Sequence, residues 1–393
     1  MGRRGITAIL LVSAMASGPA LGQAPSTLSI VPQSERSDVT TMKPMAPHWV
    51  ITSGQNGNGG MLVIDTDSGK VQGEVVNYGG NLAIDPAGKF FYTSETFYAH
   101  RNRGAREDVV TIWGANTLSV VKEIKIPGRM IVGGHIQNFQ VSADGSHAFV
   151  YNMMPSSSVI VADLAKQEVE QTVELPGCAG IYVNAVGGFS SLCSDGSMAS
   201  VSFTGGKANI VRSKPFFSAI TDPIYDNSVS DPKTGKATFL TYSGLIYQAN
   251  LGPTTTPPQP WSIQVSAGMK KAEAAPMAAA WYPGGGQPLA VHYADNQIYV
   301  LMHLGEYWSH VDAGSEVWLL DGNTHKLIRR ASLPEGVVGG DIQVSQGDNP
   351  KVFISEGARG QPAAGKLLVL DGLTLQKDRE IEHAGGGNLF VKS

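Results

Sequence analysis

The chain has 393 residues, with 47 Gly, 22 Pro, two Cys and only 16% charged side chains. Globular chains average about 7% Gly and about 25% charged residues, so turns are abundant here, while a 42% hydrophobic content excludes wholesale disorder. The net charge of −4 comes without a basic block, which argues against a nucleic-acid surface. Past the N-terminus no run of eighteen apolar residues exists to span a membrane.

The first residues read as an address. Arg3 and Arg4 form a positive n-region, Ile6 to Ala16 is a short apolar stretch, and Ala20-Leu21-Gly22 offers small residues at the positions a signal peptidase requires. Residues 1–22 are therefore expected to be a signal peptide, and the mature chain to be exported, to the periplasm in a Gram-negative cell. Residues 23–46 read as a polar N-terminal arm.

From residue 47 onward an apolar strand, a turn and a second strand recur. Met61-Leu-Val-Ile-Asp65, Val110-Thr-Ile-Trp-Gly114, Val159-Ile-Val-Ala-Asp163, Val317-Trp-Leu-Leu-Asp321 and Leu367-Leu-Val-Leu-Asp371 are the clear copies. Weaker ones end at Thr204 and Asn250, so that intervals of 41 to 50 residues are broken by a single one of 71. Seven units of this length predict a seven-bladed, all-β propeller over residues 47–393. A second signature, Gly79-Gly80-Asn81-Leu82, Gly133-Gly134-His135-Ile136, Gly339-Gly340-Asp341-Ile342 and Gly386-Gly387-Asn388-Leu389, is expected to open the innermost strand of each following blade. The last copy runs out of chain. Its blade must be completed by strands at Trp49, Met61 and Val71, which closes the ring and leaves no open edge. The long interval from Asn250 to Asp321, with four prolines and an Ala-rich stretch at 271–280, reads as a surface insertion with room for a short helix.

Cys178 and Cys193 sit on two strand-like runs around Val186-Gly187-Gly188, so a hairpin would bring them side by side. In an oxidising compartment they are expected to form a structural disulfide, which over so short a loop contributes about 3 kcal/mol in the chain-entropy account.

Little else signals chemistry. No phosphate-binding loop, dinucleotide fingerprint, zinc motif or nucleophile elbow occurs. The run Gly54-Gln-Asn-Gly-Asn-Gly-Gly60 reads as a strand connection, and His303 and His310 lack metal-ligand spacing. The repeat places Asn81, His135, Asp341 and Asn388 near one mouth of the axial channel, either as a polar ligand site or as hydrogen-bonding bridges between blades. Asp222-Pro-Ile-Tyr-Asp226 pairs two carboxylates on a loop.

Several segments resemble the heavy subunit of tryptophan tryptophylquinone amine dehydrogenases, the methylamine and aromatic amine dehydrogenase family. They are Arg103-Gly104-Ala-Arg106-Glu-Asp108, Cys178 with Cys193-Ser-Asp-Gly196, Arg212-Ser-Lys-Pro-Phe-Phe-Ser218, Pro260-Trp-Ser262, Trp281-Tyr-Pro-Gly-Gly285 and Tyr299-Val-Leu-Met-His303. The resemblance implies a cofactor-free propeller subunit with no catalytic residue of its own. The quinone would form from two tryptophans of a separate, cysteine-rich light subunit. The assembly, two heavy and two light chains, would oxidise primary amines to aldehyde and ammonia and pass electrons to a small blue copper protein of the amicyanin or azurin kind. It also implies that Gln55, Asn56, Asn58, Arg103, Arg106 and Asp108 lie toward the substrate channel and the light subunit. This chain has no aromatic between Ser53 and Gly60, where the family has a bulky one, so a relative's amine preference does not carry over. The six tryptophans (49, 113, 261, 281, 308 and 318) are then core and interface residues. The competing readings are a stand-alone exported propeller that binds or scaffolds and, more remotely, a propeller hydrolase.

Overall fold

The computed structural model describes residues 41–53, 60–77, 81–130, 135–357 and 365–393. Each repeated apolar segment is the third strand, counted outward from the axis, of an antiparallel sheet: Gly60–Asp65, Arg103–Gly114, Ser158–Asp163, Met198–Thr204, Leu245–Asn250, Glu316–Asp321 and Leu367–Asp371. Seven sheets result, and the one-chain propeller is the architecture expected from the repeat. The seam closes as the last Gly-Gly copy requires. Gly386–Val391 pairs antiparallel with Trp49–Ser53, in the register Val50↔Val391 and Thr52↔Leu389, and that blade continues through Gly60–Asp65 and Lys70–Val76.

The third strands are apolar on both sides because each blade is covered on both faces, and successive side chains of a strand point to opposite faces. Along Gln297–Glu306, Ile298, Val300 and Met302 pack toward the fifth blade, whereas Tyr299 and Leu301 pack toward the seventh. In the first blade Val63 faces the second and Ile64 the seventh. The described residues thus form one apolar layer at each of the seven blade junctions. A fully buried Val, Leu or Ile contributes about 1.5–3 kcal/mol relative to exposure, so the layers, rather than any central core, hold the ring. The end of the N-terminal arm joins one of them: Met42 is buried between the first two blades, and its N–H donates to Asn116 O at 2.7 Å.

The Asp that ends four of the repeated strands has a structural role. The Oδ1 atoms of Asp65, Asp163, Asp321 and Asp371 accept the N–H groups two and three residues on, for instance Ala165 at 2.9 Å and Lys166 at 2.8 Å. The residue four positions on then takes positive φ: Gly69, Gln167, His325 and Leu375. A side-chain carboxylate that mimics a turn explains why Asp recurs there.

Two expectations are corrected. The short helix for which the interval has room is Ile263–Ser266, ahead of the Ala-rich stretch. Pro276 disfavours a helix before it, and Ala279–Pro283 instead pairs with the long strand Gln297–Glu306. The 71-residue interval is therefore not a plain insertion: it holds an additional strand in the sixth blade, which has five. Secondly, His135 does not open a strand. A 3₁₀ turn, Ile136–Asn138, precedes the short strand Phe139–Val141.

In every blade the turns between first and second and between third and fourth strands lie at one end of the ring. The connections between second and third strands, and the crossings from blade to blade, lie at the other. The latter end, termed the upper face, carries most of the candidate residues.

Candidate functional site on the upper face

At the axis, amide side chains tie the blades together. Asn81 Nδ2 donates to His135 O at 2.8 Å, from the second blade to the third. Asn227 accepts from Ile136 N at 2.9 Å and donates to Gly286 O at 2.8 Å. Gln287 is fully buried; its Oε1 accepts from Leu389 N at 3.0 Å and its Nε2 donates to Leu389 O at 3.3 Å, so its amide behaves like a piece of strand. Asp341 is buried beside it and accepts from Ser355 Oγ at 3.0 Å. Burial pushes the Asp341 carboxyl up to about 6, against the pull of the Ser355 hydroxyl and the Gln287 N–H. Asn388 is buried on the closing strand. The four positions picked out by the repeat lie among these bridges; Gln287 follows a Gly285-Gly286 pair of its own and bridges in parallel to Asp341, whereas Asn227 has no such signature. Beyond them, toward the lower face, the inner strands enclose a cavity of about 140 Å³.

The hairpin of the second blade, Phe90–His100 with Arg103–Gly114, rises above the upper face. Arg106 Nε reaches both oxygens of Asp108 at 2.9 and 3.0 Å, and its NH2 group donates to Met130 O at 2.8 Å. Thr96 Oγ1 and Met130 N also donate to Asp108, at 2.6 and 3.2 Å. Arg106 and Asp108 therefore fix the hairpin to the crossing that leads to the third blade, while Arg103 is exposed near its tip. Gln55, Asn56 and Asn58 lie outside the described residues.

Cys178 and Cys193 face each other in register on the first two strands of the fourth blade and form the expected disulfide, Cα–Cα 3.9 Å. The bond walls a cavity of about 570 Å³. Next to it runs an aromatic cluster that the sequence did not announce. Tyr242 stacks on His310 at 3.9 Å and lies 4.7 Å from Tyr225, and Tyr307 lies between Trp308 (4.9 Å) and Tyr282 (5.8 Å). The phenols are anchored: Tyr225 donates to Pro283 O at 2.7 Å, and Tyr307 to Thr221 O at 2.7 Å. Burial raises both well above the ordinary phenol value, so neither is a base at neutral pH. Burial likewise lowers His303. The Ser309 hydroxyl donates to Glu306 O at 2.5 Å, which leaves it only to accept from His303 Nε2 at 2.8 Å. This Ser–His pair is not an activated nucleophile. Around the cluster Ile220 (83% exposed), Met277 (78%), Leu304 (67%) and Trp308 (50%) project into solvent.

Among the described residues no group of three or more His, Cys, Asp or Glu is placed to hold a metal ion, and no helix is long and apolar enough to cross a membrane. The tryptophans are packing residues for the most part: Trp49, Trp113 and Trp318 are buried. Trp281 and Trp318 lie 5.8 Å apart, with the Arg330 guanidinium over both rings at 4.8 and 4.3 Å.

Comparison with known proteins agrees with this architecture. Among solved structures, a putative 6-phosphogluconolactonase from Bacteroides uniformis is similar in fold (TM-score 0.56, 10% identity, 87% of this chain and 98% of that one), as is dihydro-heme d1 dehydrogenase NirN (TM-score 0.52, 14% identity, 86% and 64%). The methylamine dehydrogenase heavy chain of Methylobacillus flagellatus is 30% identical over 372 residues, 90% of this chain and 88% of that protein. That of Methylophilus methylotrophus is 28% identical over 342 residues, 85% and 79% respectively. Residues 48–387, nearly the whole ring, match the family described as methylamine dehydrogenase heavy chain, and the chain belongs to that family.

Proposed function

We propose that this chain is the heavy subunit of an exported quinoprotein amine dehydrogenase. The family match across the ring carries the reading. In the proposed reaction a primary ammonium and water become an aldehyde and an ammonium ion, two protons pass to solvent, and two electrons leave one at a time for two molecules of a small blue copper protein of the amicyanin or azurin kind. The tryptophan tryptophylquinone that first takes the electrons belongs to a light subunit. In this chain the neighbouring rings of Trp281 and Trp318 pack beneath the Arg330 guanidinium. The heavy chain's part is to dock the light subunit and shape the amine's path, with Gln55, Asn56, Asn58 and Arg103 toward the light subunit and Arg106 and Asp108 holding the hairpin that presents Arg103. The exposed apolar group Ile220, Met277, Leu304 and Trp308 supports docking on the upper face, because large apolar patches rimmed by polar residues mark interaction surfaces. Residues 1–22 direct the chain to the periplasm, and two heavy and two light chains assemble there.

The test is purification of the protein from its host. Co-purification of a small, cysteine-rich chain, with a quinone absorbance that bleaches on addition of a primary amine, is the expected result. A colourless, single-chain product would refute the reading and favour a stand-alone binding or scaffold propeller.

A further inference from the structure

The cavity of about 570 Å³ beside the disulfide has a chemistry of its own. It opens on the upper face between the third and fourth blades and is walled on one side by the crossing to the fifth. Its size is that of a site for a small organic guest, since ligand clefts run about 300–1,000 Å³. Tyr151, Tyr182, Phe217, Tyr242 and Leu192 give it an aromatic and apolar wall, in which Phe217 and Tyr242 are half-buried. Asp226 is the one acidic residue among those lining it, and neither Lys nor Arg is among them. The carboxylate sits at the rim, 3.3 Å from His135 Nδ1, with both side chains more than half exposed. Its field reaches the wall: after burial, the larger cause, Asp226 is what pushes the Tyr182 phenol up. Gln137, on the wall shared with the axial cavity, spends its Nε2 on Ser228 O while its buried Oε1 has no partner among the described residues.

An aromatic wall attracts cations through the ring faces, a carboxylate forms a charge-assisted hydrogen bond with an ammonium, and both features repel an anion. We propose that this cavity binds a primary ammonium compound with a hydrocarbon tail, the ammonium at Asp226 in place of His135 and the tail against Phe217 and Tyr242. The proposal gives a primary amine a holding place on this chain; it rests on the amine dehydrogenase reading only for the natural identity of the guest.

The experiment titrates the full chain with 2-phenylethylammonium chloride by isothermal calorimetry, alongside 2-phenylethanol and methylammonium chloride. Saturable one-site binding of the first is expected, with the alcohol (no charge) and methylammonium (no tail) each weaker by about tenfold or more. Asp226→Asn should weaken binding about tenfold at an unchanged melting temperature, because that side chain is exposed. His135→Ala should retain or tighten it, and Glu107→Gln, in a separate groove of the second blade, should leave it unchanged. Equal binding of the alcohol, indifference to Asp226→Asn, or no saturable binding overturns the proposal. The two readings fail separately. Asp226-dependent binding by a chain whose purified assembly oxidises no amine would sink the dehydrogenase reading alone, and amine oxidation without such binding would sink the cavity proposal alone.

Discussion

Gly385→Ala probes the seam that closes the ring. Gly385 has φ 77° and immediately precedes the closing strand Gly386–Val391. A Cβ at this position would lie 1.9 Å from the Ser53 carbonyl oxygen and 3.0 Å from Thr52 Oγ1. Two costs follow. An L-residue in the left-handed region costs about 1–2 kcal/mol. The Ser53 carbonyl must also move, which disturbs the Ser53↔Gly386 pairing and the Thr52 hydroxyl's hydrogen bond to Ala384 O; each bond lost costs about 1 kcal/mol. Together these predict a loss of about 3–4 kcal/mol. Gly206→Ala is the control: its φ is 74°, nothing lies within 4 Å of the added Cβ, and only the backbone cost of about 1–2 kcal/mol applies. Urea unfolding followed by tryptophan fluorescence reads both as midpoint shifts. If Gly385→Ala loses no more than Gly206→Ala, the seam is not the tightly packed closure described here.

Two further outcomes are expected. The Asp341 carboxyl titrates near 6 in the folded chain and near its ordinary value, 3.8, when unfolded, so the folded state binds the proton more readily, and its stability falls as pH rises from about 4 through 6. Asp341→Asn should remove that dependence, so that the variant gains on the parent by up to about 3 kcal/mol across the window; parallel stability profiles for the two proteins would refute it. Asp163→Ala should cost about 1–2 kcal/mol at neutral pH through the loss of its two turn hydrogen bonds. Since the Lys166 ammonium and then those N–H groups hold this carboxyl below the ordinary value, the deficit should shrink as pH falls through the folded value, and a constant deficit in acid would exclude these contacts as its cause.

Much of the architecture was legible in advance, because a propeller repeats one local solution. The apolar third strands, the Asp that ends four of them and the Gly-Gly signature recur along the chain, and the final orphan strand announced the closure. The interval read as an insertion is instructive: it carries its short helix at Ile263–Ser266, but Ala279–Pro283 pairs along Gln297–Glu306 as an additional strand of the sixth blade. The site was less legible. Arg106 and Asp108 stand two residues apart, and their shared partner Met130 comes from the crossing beyond the hairpin. Asn227 does its bridging at a separation of 91 residues without any local pattern, and Gln287, although it follows a Gly-Gly pair, meets a partner 102 residues away.

The sequence by itself determined the periodicity, the number of blades, the pairing of first strand with last and the opposed cysteines, all of which depend on patterns within a few tens of residues. Only the tertiary structure decided which side chains meet at the axis, which aromatic rings gather on the upper face and where a cavity opens beside the disulfide. Those contacts join blades that are distant in the chain, and a side chain's neighbours across a blade junction follow from the closure of the ring rather than from the residues on either side of it.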